Sequence, residues 1–528
     1  MKKIQAEHRS KAEFAMTKFW HRKDVMVVAA GSIPCIRELY ILAEEMDTLH
    51  QFWYVRLTNE EYILGSAEEK IREEIRKAAS VPGVQVVVFY LSCLDILVRL
   101  DFHDMEQSLS EETGKLVRCF YRGPLGKEEK EHVDADTFMQ GFPKEEGAIE
   151  KSMQQLPVPI SDGAAISDWR RWKNHGNVLV TPAGCRSCMS DLDMTEDQQQ
   201  VYYPETTTSD FVFGLEGTTE KQARTLLAQE PLNGLSFIGT AVPAFMGMDG
   251  DALADSLCEM GHQSLYFDAD GFHDGLYGLS QAELTWARHG ANGMTKEKGK
   301  VVQLLGYSPL LGGDLRAIDE GISFLQSLGY EVVFDGETPL IEKPVLNWGI
   351  STAGVAAGRW MEAHLGIPLL IAYPVGDHAW NTWKKNVTDL IEAGTGERQL
   401  QIHRMDIPKT KEEKLLFVGD PVQIMGKAHN YWHEGYGNIT LASLAWSKET
   451  ASSIIRNAPG GERFQIFHSL EELWMAKEGA DTVFCDPILF PFFAGKKCIA
   501  RPWGLLSGRR AVHGWEWLWI AGSQTTNN

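Results

Sequence analysis

Two stretches of the chain read as divergent copies of one unit, so any fold must accommodate the same pattern twice. The first copy opens on the apolar run 25–28, turns at Gly31 and reaches Cys35; the second opens on 178–180, turns at Gly184 and reaches Cys188. Val25 and Cys35 are ten positions apart, as are Val178 and Cys188, which sets Gly31 on Gly184 and Ser32 on Cys185. Farther on, Tyr62-Ile-Leu-Gly65 matches Phe211-Val-Phe-Gly214, and Ser92 falls on Thr240, with steps of 28 residues from Gly65 to Cys93 and 27 from Gly214 to Ala241. The thiols are divided unequally. The first copy keeps Cys93 where the second has Ala241, and the second keeps Cys185 where the first has Ser32.

A chain of 528 residues is too long for one core and calls for three or four domains. Short apolar runs of β-forming residues alternate with amphipathic stretches from end to end, the pattern of parallel sheets flanked by helices. Fully buried strands read as continuous apolar runs, as in 86–90. The first copy is expected to place strands at 25–30, 84–90 and 116–121 with a helix at 68–79, and the second to place strands at 177–181, 211–214, 235–240 and 264–268. Residues 123–175 read as a linker with some helix. A third unit holds apolar runs at 301–306, 331–334 and 367–373 with helices at 315–328 and 354–365. A fourth holds strands near 414–421, 437–442, 464–467 and 480–487. The expected fold is α/β: serial Rossmann-like, doubly wound parallel-sheet domains at 1–122, 176–298, 299–408 and 409–528, the N-terminal one duplicated.

Lys and Arg total 51 against 72 Asp and Glu, a net charge of -21 that repels a phosphate backbone. No segregated basic patch offsets it, so nucleic acid is not expected as a partner. No apolar run approaches the ~20 residues that span a bilayer, and the N-terminus lacks the apolar core of a signal peptide. The expectation is a cytoplasmic protein without a membrane partner. Eight cysteines in this length are too sparse for a disulfide scaffold. Their use, if any, is metal or redox chemistry. Cys119, Cys258, Cys485 and Cys498 lie in or beside core elements and read as structural.

From residue 177 onward the chain carries, in order, Pro182-Ala-Gly-Cys185, Asp210-Phe-Val-Phe-Gly214, Gly247-Met-Asp-Gly-Asp251, Gly366-Ile-Pro368, Gly419-Asp420, Gly479-Ala-Asp481 and His513-Gly-Trp-Glu516. These ordered landmarks resemble the nitrogenase component 1 family: the molybdenum-iron protein subunits, their cofactor-assembly relatives and the dark-operative protochlorophyllide reductase subunits. The departures are also specific. Ala241 stands where the family usually has a cluster cysteine. No cysteine lies at 348–351, and no histidine lies at 501–507, where an iron-molybdenum cofactor would be held. The resemblance therefore gives no iron-molybdenum cofactor site, and the extra N-terminal copy stands in for a partner subunit's first domain.

A four-iron cubane needs converging thiolates, commonly four, and strand-to-helix loops supply them because a helix N-terminus stabilises anionic sulfur. If the two copies pack face to face, as the family's paired subunits do, Cys35 and Cys93 from one and Cys185 and Cys188 from the other enclose one 4Fe–4S cluster. Cys185-Arg-Ser-Cys188 is equally compatible with a dithiol redox pair or half a zinc site, and Cys93, in an apolar setting, with a core filler. His103 aligns with Asp251 and reads as a proton donor near the cluster or as a plain helix-start residue. His378 and His513 read as loop residues facing a cleft, and the tryptophans Trp348, Trp360, Trp380, Trp383, Trp503, Trp515 and Trp517 as core or as a pocket for a planar substrate.

The chain carries no Gly-x-x-x-x-Gly-Lys-Ser/Thr loop, so ATP would be handled by a separate iron-protein reductase, as the resemblance implies. The leading expectation is an oxidoreductase that passes low-potential electrons through an iron-sulfur cluster, paired with that reductase and with a second component 1-like subunit or a second copy of itself. The alternatives are a non-catalytic scaffold for cluster or cofactor assembly, and a metal-free binding protein on the same fold.

Overall fold

The computed structural model describes residues 1–3, 15–121, 134–171, 173–181, 200–295, 297, 299–311, 315–337, 341–399, 410–508 and 510–511. Cys185, Cys188, His513, Trp515 and Trp517, and the motif beginning at Pro182, lie outside the described residues.

Among the described residues four sheets carry the fold, which is α/β. In chain order the strands are β1 (Lys2–Lys3), β2 (Val25–Gly31), β3 (Phe52–Arg56), β4 (Val86–Leu91), β5 (Leu116–Tyr121), β6 (His175–Leu179), β7 (Val201–Tyr203), β8 (Gly234–Ile238) and β9 (Gln263–Phe267). They continue as β10 (Val301–Leu305), β11 (Glu331–Phe334), β12 (Leu346–Gly349), β13 (Leu369–Ile371), β14 (Glu397–Gln399), β15 (Lys411–Val418), β16 (Tyr436–Leu444), β17 (Phe464–Phe467), β18 (Thr482–Cys485) and β19 (Lys497–Ala500). The sheet orders are β3-β2-β4-β5, β1-β7-β6-β8-β9, β11-β10-β12-β13-β14 and β17-β16-β15-β18-β19. β1 pairs antiparallel with β7, while the ladders within the third and fourth sheets are parallel. The central strands β2, β6 and β8 are buried along their whole length; β2 is accordingly apolar without alternation, while β6 buries the polar His175 and Asn177 and β8 buries Ser236.

The described chain forms two compact units. The first takes Met1–Gly163, the strand residues from Gly176 and Gln200–Phe272, and holds the first two sheets; the second takes Ala164–His175 and His273 onward, and holds the other two. No described helix is long and apolar enough to cross a membrane.

The duplication is visible element by element in the first unit. Ser92 caps the helix Cys93–Leu97 after β4, and Thr240 occupies the same N-cap before the helix Ala241–Phe245 after β8. Asp101 and Asp249 cap the next helices, each accepting from the backbone N–H three residues on. This puts His103 and Asp251 at the same position of their helices, with His103 exposed. Thr58 with Glu61 and Thr207 with Asp210 form matching capping boxes, and Gly65 and Gly214 both take positive φ, 77° and 99°.

One expected strand is corrected by these caps. The run 211–214 is not a strand: Thr207 and Asp210 start a turn, and the helix Thr208–Phe213 follows. Its apolar residues mimic a buried β-run, but Asp210 accepts from the Thr207 amide at 2.6 Å and from the Thr207 hydroxyl at 2.8 Å, closing the turn that commits the segment to a helix. The second strand of that sheet is instead β7, the counterpart of β3.

Residues 134–163 run back over the first sheet. The helix Ala135–Met139 brings Phe138 within 4.9 Å of the Phe120 ring and 5.6 Å of the Phe19 ring. Tyr54 donates its hydroxyl to the Leu156 carbonyl at 2.9 Å.

Candidate functional sites

In the first unit the two copies meet through the loops at the carboxyl ends of their strands, where ligands of α/β sheets bind. The helix Ile33–Glu45 begins at Ser32 directly after β2, with Pro34 in its first turn. Its first amide, on Ile33, donates to the Gly271 carbonyl of the second copy at 2.7 Å. Gly271 has φ 70° and no side chain: a Cβ there would stand 3.3 Å from the Ser32 Cβ, 3.5 Å from Pro34 and 3.6 Å from Ala241. One core joins the copies, with Val242 and Phe272 packed among Tyr62, Leu91 and Cys93.

Cys35 sits in this contact region, half-buried in the first turn of its helix, and its Sγ accepts from the Ser32 hydroxyl at 3.5 Å. A thiol so placed is in the setting that stabilises a thiolate. Cys93 differs. Its side chain is buried and its Sγ stands 3.9 Å from the Tyr121 hydroxyl at the end of β5, on the far side of β4 from β2. Of the two candidate thiols among the described residues, Cys35 fits a metal-sulfur group, whereas Cys93 as packed is a core side chain that would have to turn to join it.

Behind Cys35 lies a polar network absent from the sequence-based expectation. Tyr62 donates its hydroxyl to Asp95 Oδ1 at 2.9 Å, and the Ser92 amide donates to Asp95 Oδ2 at 2.6 Å. Burial pushes the Asp95 carboxyl up to about 6 against the hydrogen bonds from Ser92 and Tyr62, and burial followed by the Asp95 charge holds the Tyr62 hydroxyl well above its ordinary value. Gly31, at φ 117°, makes room: a Cβ there would be 3.2 Å from the Ser92 hydroxyl and 3.4 Å from that of Tyr62.

The remaining described cysteines are free thiols in structural settings. Cys119 Sγ donates to the Phe102 carbonyl at 3.8 Å, Cys258 Sγ to the Ser264 carbonyl at 3.4 Å and Cys498 Sγ to the Lys496 carbonyl at 3.7 Å, while Cys485 is fully buried in β18. Trp348, Trp380 and Trp383 are mutual core contacts, with ring centroids 4.7 Å apart for Trp348–Trp383 and 5.1 Å for Trp380–Trp383. They fill the third sheet's core.

The second unit contains a cluster that the sequence reading missed. His378 is not in a loop but in the first turn of the helix Asp377–Ala393, and His429 and His433 lie on the last turns of the helix Pro421–His433. That helix starts at Asp420 after β15; Asp420 accepts from the amides of Gln423 at 3.1 Å and Thr352 at 3.1 and 3.2 Å, and burial pushes its carboxyl up to about 6. Ring centroids are 3.9 Å apart for His378–His433, 4.5 Å for His429–His433 and 5.8 Å for His378–His429. Burial, then the neighbouring His433 and His378, pushes His429 down to about 4, and burial followed by His378 lowers His433. The spacing His429-x-x-x-His433 was available as a signal, since i and i+4 share a helix face.

At the carboxyl ends of β10 and β11, Glu283 and Asp335 are buried with Trp169, whose indole donates to Asp335 Oδ1 at 3.0 Å. Burial, then the Asp335 charge, holds Glu283 well above the carboxylate range. Asp335 is pushed up to about 6 by burial, opposed by hydrogen bonds from Glu283, Trp169 and the backbone.

No protein-family model matches the chain, and no curated protein matches it. Among solved structures, one described as "Nitrogenase Cp1 at pH 6.5" aligns at 12% identity over 72% of this chain and 96% of that chain, with a TM-score of 0.49. Another, "Nitrogenase Cp1 at pH 5", aligns at 14% identity over 70% of this chain and 89% of that chain, with a TM-score of 0.46. Neither likeness says which chemistry this chain performs.

Proposed function

We propose that the chain is a nitrogenase component 1-like oxidoreductase that receives low-potential electrons from an ATP-dependent iron-protein reductase and passes them through a 4Fe–4S cluster to a substrate. The observation that carries this reading is the closure of the duplicated unit on itself, with the Cys35 turn, through Ser32, Ile33 and Pro34, against Gly271 of the second copy. Cys35, Cys185, Cys188 and Cys93 would hold the cluster, which would supply one-electron transfer at low potential. The chain's own contribution is a dry, rigid setting: the Tyr62–Asp95–Ser92 network fixes the two strand-to-helix turns, and Phe272 packs on the Tyr62 ring at 5.9 Å.

A surface feature supports the reductase. Leu64 and Phe213 stand at matching positions, each just before the positive-φ glycine of its copy, and are 79% and 88% exposed. A repeated pair of bare apolar side chains suits a partner that itself presents one patch twice.

Iron and acid-labile sulfide per chain on anaerobically purified protein, with electron paramagnetic resonance after dithionite reduction, test the reading. About four irons and four sulfides with a reduced-cubane signal support it. Absence of both after reconstitution refutes it and leaves a metal-free binding protein. The inward-turned Cys93 favours a second reading, an assembly scaffold that holds its cluster by fewer protein ligands and gives it up. That reading predicts transfer of a loaded cluster to an acceptor apoprotein and no electron-driven turnover.

A further inference from the structure

We propose that His378, His429 and His433 form a binding site for a divalent transition-metal ion of the zinc class, separate from the cysteines. Three observations converge on it. One ring nitrogen from each histidine can be chosen so that all lie within 4.8 Å of one another. His429 and His433 sit at i and i+4 on one helix, the spacing that turns two imidazoles to the same face, and His378 joins them from the first turn of a neighbouring helix in the same unit. His429 is only 5% exposed, and its Nδ1 is buried without a hydrogen-bonding partner. A buried ring nitrogen in that condition is costly unless something accepts its lone pair or its proton, and a metal ion does the former.

The donor set defines the ion. Three imidazoles with no carboxylate or carbonyl among them select zinc, cobalt, nickel or copper over magnesium or calcium. Tetrahedral coordination at ~2.1 Å puts ligand nitrogens about 3.4 Å apart, so the cluster needs a modest contraction. His378 can supply it, because its side chain is exposed while His429 is held in place. Three protein ligands leave a fourth position for water or a substrate oxygen, the arrangement of an open zinc site rather than a closed structural one. Bound there, the ion would also tie the first turn of Asp377–Ala393 to the last turns of Pro421–His433.

Tag-free full-length protein, stripped with chelator, should be titrated with Zn2+ by calorimetry and with Co2+ by visible absorption. The expected result is one ion per chain, a tetrahedral Co2+ spectrum, and at least tenfold weaker binding in His378→Ala, His429→Gln and His433→Gln. His364→Ala and the joint Cys35→Ser, Cys93→Ser, Cys185→Ser, Cys188→Ser variant should bind as the parent does, so failure of the iron-sulfur reading leaves this result intact. Zn2+ should raise the thermal midpoint of the parent but not of His378→Ala, whose exposed position makes misfolding an inadequate explanation. Absence of stoichiometric binding in the parent, or parent-like binding in His378→Ala and His433→Gln, overturns the proposal.

Discussion

Glu283 and Asp335 accept from one backbone N–H, that of Gly306, at 3.0 Å to Glu283 Oε2 and 3.4 Å to Asp335 Oδ2. Two buried carboxyl groups converging on a single donor cannot both be charged at modest cost, and they share a proton. The indole of Trp169, the Gly336 amide at 2.7 Å and the attraction of buried Arg170 all favour charge on Asp335, which leaves the proton on Glu283.

The sign of the pH dependence follows. Both folded-state values are raised above their ordinary range, so the native protein binds more protons than the unfolded chain, and this pair's contribution falls as pH rises from about 4 through 6 and beyond. Glu283→Gln keeps a hydrogen-bonding side chain and removes the more strongly shifted group. Urea unfolding at pH 5 and pH 8 should show the variant losing less stability than the parent over that interval, by about 1–3 kcal/mol. Equal losses in the two proteins would show that Glu283 is ionised in the native state.

The two described candidate thiols should separate on substitution. Cys35→Ser removes a half-exposed group from a helix first turn and should leave folding intact while lowering the iron content of anaerobic protein by more than half. Cys119→Ser, at a thiol bonded to a carbonyl, should leave iron unchanged. Parent-level iron in Cys35→Ser would remove Cys35 from the ligand set.

Ala241 is the structural counterpart of Cys93 and lies against Gly271 at the junction of the copies. Ala241→Cys therefore adds a thiol where the other copy's loops meet, without filling a tightly closed space. Iron bound by this variant should be lost to a chelator several-fold more slowly than iron bound by the parent. An unchanged or faster loss would mean that position 241 does not face the proposed cluster.

How much of the fold is legible in the sequence depends on how local each signal is. The alignment of Ser92 with Thr240 holds because capping residues sit at fixed distances from the strands they follow, so divergence of the apolar residues does not move them. The second strand of each copy was not anticipated: β7 has only three residues, too few to show a period, and the nearby run at 211–214 offered a more apolar decoy. The edge strands β14 and β19 escaped for the opposite reason, since Glu397–Gln399 and Lys497–Ala500 carry charged or partly exposed side chains. The histidine pair 429/433 was legible as a helix face, but His378 joins it only through the packing of two helices distant in sequence.

That packing rests on Gly426. A Cβ added there would lie 1.8 Å from the Tyr373 carbonyl oxygen and 2.9 Å from its carbonyl carbon, both backbone atoms that cannot swing aside. His429 and His433 follow Gly426 by three and seven residues, so the face pressed against Tyr373 continues into the face that carries the two imidazoles. Gly426→Ala gains up to about 1 kcal/mol of intrinsic helix propensity, but the overlap forces the helix outward, and overpacking of this kind typically costs about 1–3 kcal/mol. The expected outcome is net destabilisation together with weaker Zn2+ binding, since His429 and His433 move with the helix while His378 stays on its neighbour. Gly217→Ala is the matched control: Gly217 lies within the helix Glu216–Gln229 with nothing within 4 Å of the added Cβ, so the same substitution should raise stability slightly. Denaturant unfolding and zinc calorimetry on the two variants distinguish the cases, and a Gly426→Ala protein as stable as the parent with unchanged zinc affinity would show that the helix tolerates the displacement and that Tyr373 does not position the histidines.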